Sequence, residues 1–277
     1  TMRAARTAPL RPVPPAPEAE PWAAVADAAG QVQTWAAPAI DATTDVLPVA
    51  DPARSDPSLD DDLRAWHQAE AGRPRIGVLG PGIVDAAGPP PETRRGLCAE
   101  LVVYLAQRGA RGADAGSLTA ALWPATVIGE PARQAILARV RRWLGTDQHG
   151  APWLADGDHY RLAAGYLFDW HLFRRLRARG EQQGPEGGAD LRAALGLVRG
   201  VPLAGADRPR TPGTRNPYPW LAESAMHPDH IVATIVETAH DLAERCLAAG
   251  APAGARWAVR RAWLADPGRT YDQPWRD

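Results

Sequence analysis

The sequence predicts a mainly α chain (α+β): a winged helix-turn-helix with short hairpins, followed by an α-helical bundle. Three observations carry that prediction. Between Arg75 and Leu162 the pattern reads strand pair, three helices, strand pair, the layout in which three helices pack a small core and the last hairpin forms a wing. Beyond Tyr166, apolar residues recur at helical spacing, and short Gly-containing turns join the segments into a repeat-like bundle. Ahead of both, residues 1–72 are rich in Pro, Ala and Asp, with little periodicity. The expected organisation is therefore a Pro/Ala-rich linker over 1–72, partly disordered or docked, a winged-helix domain over 73–166 and a helical domain over 167–277.

Composition narrows the chemistry. With 277 residues there is room for two modest domains and a tail. Thirty-one basic residues face 32 acidic ones, so the formal net charge of -1 indicates neither a nucleic acid nor an acidic partner; any such signal must be local. Every basic residue is Arg. Without Lys there is no Walker-A phosphate loop and no Schiff-base catalysis. Cys98 and Cys246 stand far apart and outside any C-x-x-C spacing, which argues against a zinc knuckle or redox pair and for buried thiols in a reducing compartment, here the cytoplasm. No apolar run reaches the length of a membrane span, and no signal peptide is present. The start at Thr1-Met2-Arg3 reads as a piece of a longer protein, and the parent could be membrane-tethered.

The elements follow in order. Six prolines between Pro9 and Pro21 favour extended polyproline conformations, while Trp22, Trp35 and Trp66 are candidates for docking on a folded neighbour. Leu59 to Ala71 predicts a short helix, with Ser58 as N-cap and acidic residues in its first turn. Arg75 to Gly80 reads as a strand, Pro81-Gly82 as a turn and Ile83-Val84 as the returning strand. The glycine spacing here is wrong for a dinucleotide loop, and Pro81 interrupts it. Helices are predicted from Thr93 to Arg108, from Asp114 to Leu122, and from an opening at Gly129-Glu130-Pro131, with Pro131 in the first turn, to the Gly145 stop. Trp153-Leu154 and Tyr160 to Leu162, around Asp156-Gly157-Asp158, form the wing hairpin. Then come a helix carrying Phe168, Leu172, Phe173 and Leu176, a second marked by Leu191, Leu195 and Val198, and a Pro/Gly/Arg-rich loop from Gly200 to Pro219. A long helix opens at Pro228 and ends at Gly250, and its return partner runs from Ala255 to Leu264.

Several fragments, in this order, resemble the bacterial transcriptional activator domain proteins of actinobacteria, the antibiotic-regulator type. They are Glu100-Leu-Val-Val-Tyr-Leu-Ala106, Leu118-Thr-Ala-Ala-Leu-Trp-Pro124, Ala138-Arg-Val-Arg-Arg-Trp-Leu-Gly145, Tyr160-Arg-Leu162, Phe168-Asp169 leading to Phe173, Asp190 to Gly200, and Tyr218-Pro-Trp-Leu221. The match runs from about Arg75 to Pro267, and its most specific parts are the Leu-Trp-Pro step and the Arg-Val-Arg-Arg-x-Leu-Gly run. The resemblance implies an OmpR-like winged helix followed by a tetratricopeptide-like activator domain. It also implies a third helix in the DNA major groove, a wing on the backbone or minor groove, and a helical domain that dimerises or contacts the transcription machinery or another protein.

Charge counting supports the first of these roles. From Glu92 to Gly145 eight arginines face four acids, a net charge of +4 in a chain that is neutral overall. At about 100° per residue, the buried stripe of the third helix centres between Ile136 and Val140. Gln134, Ala138, Arg141 and Arg142 then point outward, and Arg139 sits at the border. Arg is suited to bidentate contact with guanine or phosphate, and Gln to adenine. Arg161 is the candidate on the wing, beside Asp156 and Asp158, which repel phosphate. The expected partner is double-stranded DNA, bound through Gln134, Ala138, Arg139, Arg141, Arg142 and Arg161. The alternative is an interaction scaffold whose winged helix has lost DNA contact, within a larger signalling protein.

The remaining motifs read as structural. Arg174, Arg175, Arg177 and Arg179 are a solvated face or, alternatively, a partner or phosphate surface. His227 and His230, with Glu237, His240 and Asp241, are spaced too widely for a compact metal site and read as capping and surface groups. The four serines lie in no nucleophile-elbow sequence. No catalytic residues, metal or cofactor are expected.

Overall fold

The architecture was read from a computed structural model, which describes residues 56–69, 72–124, 126–206, 218–224 and 226–268. The polyproline segment, Trp22 and Trp35, and most of the loop before Pro219 lie outside the described residues. Those described belong to one compact unit that begins at Ala50. It is a mainly α winged helix joined to a helical bundle, with a few two- and three-residue strands.

Helix α1 spans Pro57–Gln68. It starts before the predicted Ser58 cap, because Pro57 already holds a helical φ at the first turn and Asp56 takes the N-cap position. Leu59, Ala65 and Trp66 bury its inner face. Its acidic face meets the basic stretch of a later helix, α5 (Asp169–Gln182). Arg175 lies 2.7 Å from both Asp56 and Asp62, and Arg179 lies 2.8 Å from Asp60 and 2.6 Å from Asp190. Arg177 pairs with Glu181 and Glu237. The basic stretch is thus neither a solvated face nor an open partner surface: carboxylates of this chain occupy three of its four guanidinium groups. The Arg175 guanidinium in turn holds the Asp56 carboxyl below the usual carboxylate range.

Strands β1 (Arg75–Gly77) and β2 (Ile83–Asp85) form the predicted hairpin, with Ile76 opposite Val84. β1 is also joined in parallel by β5 (Leu167–Phe168), giving the order β2-β1-β5. Immediately past β1 the backbone leaves the ladder, and its donors are satisfied elsewhere. Asp169, fully buried at the start of α5, accepts from Val78 N–H at 2.9 Å and Leu79 N–H at 3.0 Å, and Arg199 reaches it at 3.1 Å. Burial pushes this carboxyl up; the two N–H groups and the guanidinium oppose that push.

Three helices fill the space between the hairpins. α2 (Arg95–Arg108) is buried along Leu97–Cys98 and Glu100–Ala106, making it the central rod. α3 (Ala115–Leu122) starts at Asp114, whose carboxylate accepts from Ser117 N–H at 2.8 Å. α4 (Glu130–Leu144) ends at Gly145, with φ +72°. The wing differs from the simple hairpin the sequence predicts. Leu154 and Leu162 do bridge, but the regular pairing is between β4 (His159–Tyr160) and β3 (Ala113–Asp114). Gly112 allows this approach: at φ +57°, a Cβ there would lie 2.5 Å from the Tyr160 carbonyl oxygen.

The bundle continues with α6 (Gly188–Gly196), α7 (Pro228–Ala248) and α8 (Pro252–Ala265), each packed on its predecessor. One continuous apolar core runs from Leu59 to Ala265. No described helix is long and apolar enough to cross a membrane.

Candidate nucleic-acid interface

The candidate surface is built on α4. Gly129 precedes it and Pro131 sits in its first turn, which sets the start. Ile136, Leu137, Val140, Trp143 and Leu144 are buried, fixing the helix against α2. At its C-terminal end the preceding loop closes over the backbone: Gly88 N–H donates to the Trp143 carbonyl at 2.9 Å, and a Cβ at Gly88 would fall 1.9 Å from the Arg142 carbonyl oxygen. The opposite face is open. Ala132, Ala135, Ala138 and Arg142 are exposed among the described residues. The helix is therefore gripped on one side and bare on the other.

The six sequence-predicted residues fall into distinct settings. Arg142 is exposed on α4, and Arg161 is exposed at the base of the wing. Ala138 lies on the open face, offering only a methyl group. Arg139 is half-buried at the border, with one long contact of 3.4 Å to the Ala135 carbonyl. Gln134 is turned along the helix: its amide donates to Glu130 at 2.6 Å and to the Tyr160 hydroxyl at 3.3 Å. Arg141 is drawn to the wing, its Nε 3.0 Å from Asp156. The sequence reading set only Arg161 against the wing acids. The turn instead folds back over α4 and brings Asp156 to Arg141.

That last pairing has modest strength. Asp156 is 90% exposed, and an ion pair open to solvent contributes about 0–1 kcal/mol. The pair also has a positional effect, tying the wing tip to the helix it flanks.

Two further arginines belong to this region and were not singled out from sequence. Arg94 and Arg95, exposed at the start of α2, enter the local charge count. Arg94 acts on the same buried group as Arg139: burial pushes the Cys98 thiol up, and both guanidinium groups oppose the push. A signal was available in the adjacent pair Arg94-Arg95, which falls before the helical periodicity begins.

Among the described residues, no three His, Cys, Asp or Glu side chains gather as metal ligands. His227 instead caps α7, its ring accepting from Asp229 N–H at 3.3 Å.

No protein-family model matches the chain, and no curated protein matches it. Among solved structures it is similar to Mycobacterium tuberculosis EmbR in complex with a low affinity phosphopeptide, at 21% identity and a TM-score of 0.47, over 74% of this chain. The chain spans about half of that protein's length, 52%.

Proposed function

We propose that this chain is a regulatory module of the transcriptional-activator kind, which binds double-stranded DNA through its winged helix and contacts protein partners through its helical segment. Residues 73–166 form the DNA-binding part and 167–277 the activator part, behind a Pro/Ala-rich linker over 1–72 whose α1 is docked on α5. The module works without catalysis, in the cytoplasm. The observation that carries this reading is the open face of α4, held rigidly from behind and bordered by Arg139, Arg142 and, on the wing, Arg161. The resemblance of the sequence motifs to that activator family supports the same reading.

The mode of binding follows from the side chains available. Ala132, Ala135 and Ala138 can touch thymine methyl groups but make no hydrogen bonds to base edges. Affinity then comes from Arg139, Arg142 and Arg161 on phosphates, with Arg141 joining when Asp156 yields. Such binding is strongly salt-dependent and only weakly sequence-selective.

The second reading, a docking platform without DNA, is favoured by the internal pairing of Gln134 and Arg141 and by the methyl-lined helix face. A mobility-shift assay at two salt concentrations separates the two. A shift that weakens with salt, and weakens further in the Arg141→Ala plus Arg142→Ala variant, supports DNA binding. An absent shift even at low salt leaves the docking platform.

A further inference from the structure

We propose that the α7–α8 hairpin is a docking groove for an acidic amphipathic helix of another protein. This inference rests on the protein-contact part of that reading, uses none of the residues offered to DNA, and stands whether or not DNA binds.

The groove, about 350 Å³, has a floor of small and apolar side chains, Ala243 and Leu247 from α7 and Ala255 and Val259 from α8. Its rim on α8 carries Arg256, Arg260 and Trp263. Exposed large apolar residues are few among the described residues, and two of the five line this groove: Leu247 and Trp263, at 56% and 40% exposure. In a stack of helices the terminal outer face is ordinarily polar, since nothing further covers it. Here Leu247 and Trp263 are exposed beside two arginines, a mixed apolar and basic surface suited to receiving another element.

Charge identifies the occupant. Elsewhere in the bundle Arg175, Arg177, Arg179 and Arg245 each face a carboxylate of this chain within 3.2 Å. Helix α8 has no acidic residue at all, and neither Arg256 nor Arg260 meets a carboxylate among the described residues. Separated by four residues, they project from one side of the helix, about 6 Å apart along its axis. A docking helix with an acidic flank would supply carboxylates to both guanidinium groups.

Shape selects a helix. The α8 contribution recurs at every fourth residue, Ala255, Val259 and Trp263, so the groove runs along the helix axis and offers the ridge of a partner helix successive small and large positions. Among the described residues no sheet edge lies here to take an extended strand. With 14 residues, α8 is about 21 Å long, matching a partner of three to four turns. The occupant has leucine-like residues at i, i+3/i+4 and i+7, and carboxylates one turn apart on the flank that faces Arg256 and Arg260.

The test uses the full chain and a fluorescein-labelled synthetic peptide of about four turns, with leucines along one face and glutamates on its flank. A second peptide carries lysine for each glutamate. Fluorescence anisotropy is expected to show saturable binding of the glutamate peptide and at least tenfold weaker binding of the lysine peptide. Arg256→Glu plus Arg260→Glu should reverse this preference, and Trp263→Ala should weaken both peptides, with circular dichroism melts reporting that each variant folds. Equal binding of the two peptides, or binding untouched by the charge reversal, overturns the proposal. It is also overturned if the glutamate peptide fails to bind while phosphatidylserine vesicles do, which would make the face a membrane contact. Failure to bind together with concentration-dependent self-association abolished by Trp263→Glu would make it an interface between two copies and likewise overturn it.

Discussion

Replacing Asp169 with Ala removes the carboxylate that joins the end of β1 to the start of α5. The side chain is fully buried and accepts from two backbone N–H groups, Val78 at 2.9 Å and Leu79 at 3.0 Å, while Arg199 approaches to 3.1 Å. Hydrogen bonds to a charged acceptor contribute about 1.5–3 kcal/mol each, and leaving a buried donor unsatisfied costs about 1–3 kcal/mol. The Arg199 side chain is 29% exposed, so water can take over part of its pairing. Most of the loss therefore falls on the two N–H groups. Asp169→Ala should cost about 3–5 kcal/mol, and a unit of this size loses about 2–4 °C in Tm per kcal/mol. Asp169→Asn keeps one acceptor oxygen and should cost about half as much, while Arg199→Met should cost about 1 kcal/mol. Urea unfolding followed by tryptophan fluorescence measures all three. The reasoning is refuted if Asp169→Ala costs less than about 1 kcal/mol, or if Arg199→Met costs more than Asp169→Ala.

Two other outcomes follow from the same structure. His171 packs edge-on against Phe168, and its pKa is pushed down to about 4, by burial first and then by the charges of Arg174 and Arg175. The folded chain thus holds a neutral ring where the unfolded chain binds a proton, so stability should fall as pH drops from about 6.5 to about 4, by at most about 3 kcal/mol. His171→Phe should flatten that part of the stability profile, and an unchanged slope would contradict the assignment. Gly112→Ala should destabilise the β3–β4 pair and the wing by about 2–3 kcal/mol, through the positive φ and the clash with the Tyr160 carbonyl, read as a lowered urea midpoint.

What could be read from the sequence was periodic. α4, α7 and α8 repeat their apolar residues often enough that the inner stripe of each is visible, and Pro131, Gly145 and Gly250 mark ends that the structure retains. Two-residue strands carry no such repeat, which is why β3 escaped notice and β4 was assigned to a hairpin with Trp153-Leu154. Long-range electrostatics were equally hidden. Arg175 and Asp56 are 119 positions apart, and nothing local announces that an acidic helix will lie on a basic one. For the candidate interface, helical geometry correctly turned Ala138 and Arg142 outward. It could not show that Gln134 bends back to Glu130 or that the wing carries Asp156 to Arg141, because both depend on side-chain conformation and on the path of a turn. Asp169 offered a signal that went unused: a single acid inside Leu167-Phe168-Asp169-Trp170, where a carboxylate would be costly to bury without partners.

The central claim is that exposed guanidinium groups on and beside α4 hold a polyanion, and the salt dependence of duplex binding measures this most directly. Each phosphate neutralised contributes about 0.9 to the slope of log K against log salt. Contacts from Arg139, Arg142 and Arg161, with or without Arg141, predict a slope of about -3 to -4 in fluorescence anisotropy with a labelled duplex, and Arg142→Ala should reduce it by about one. No duplex binding at low salt, or a slope that Arg142→Ala leaves unchanged, would contradict the account.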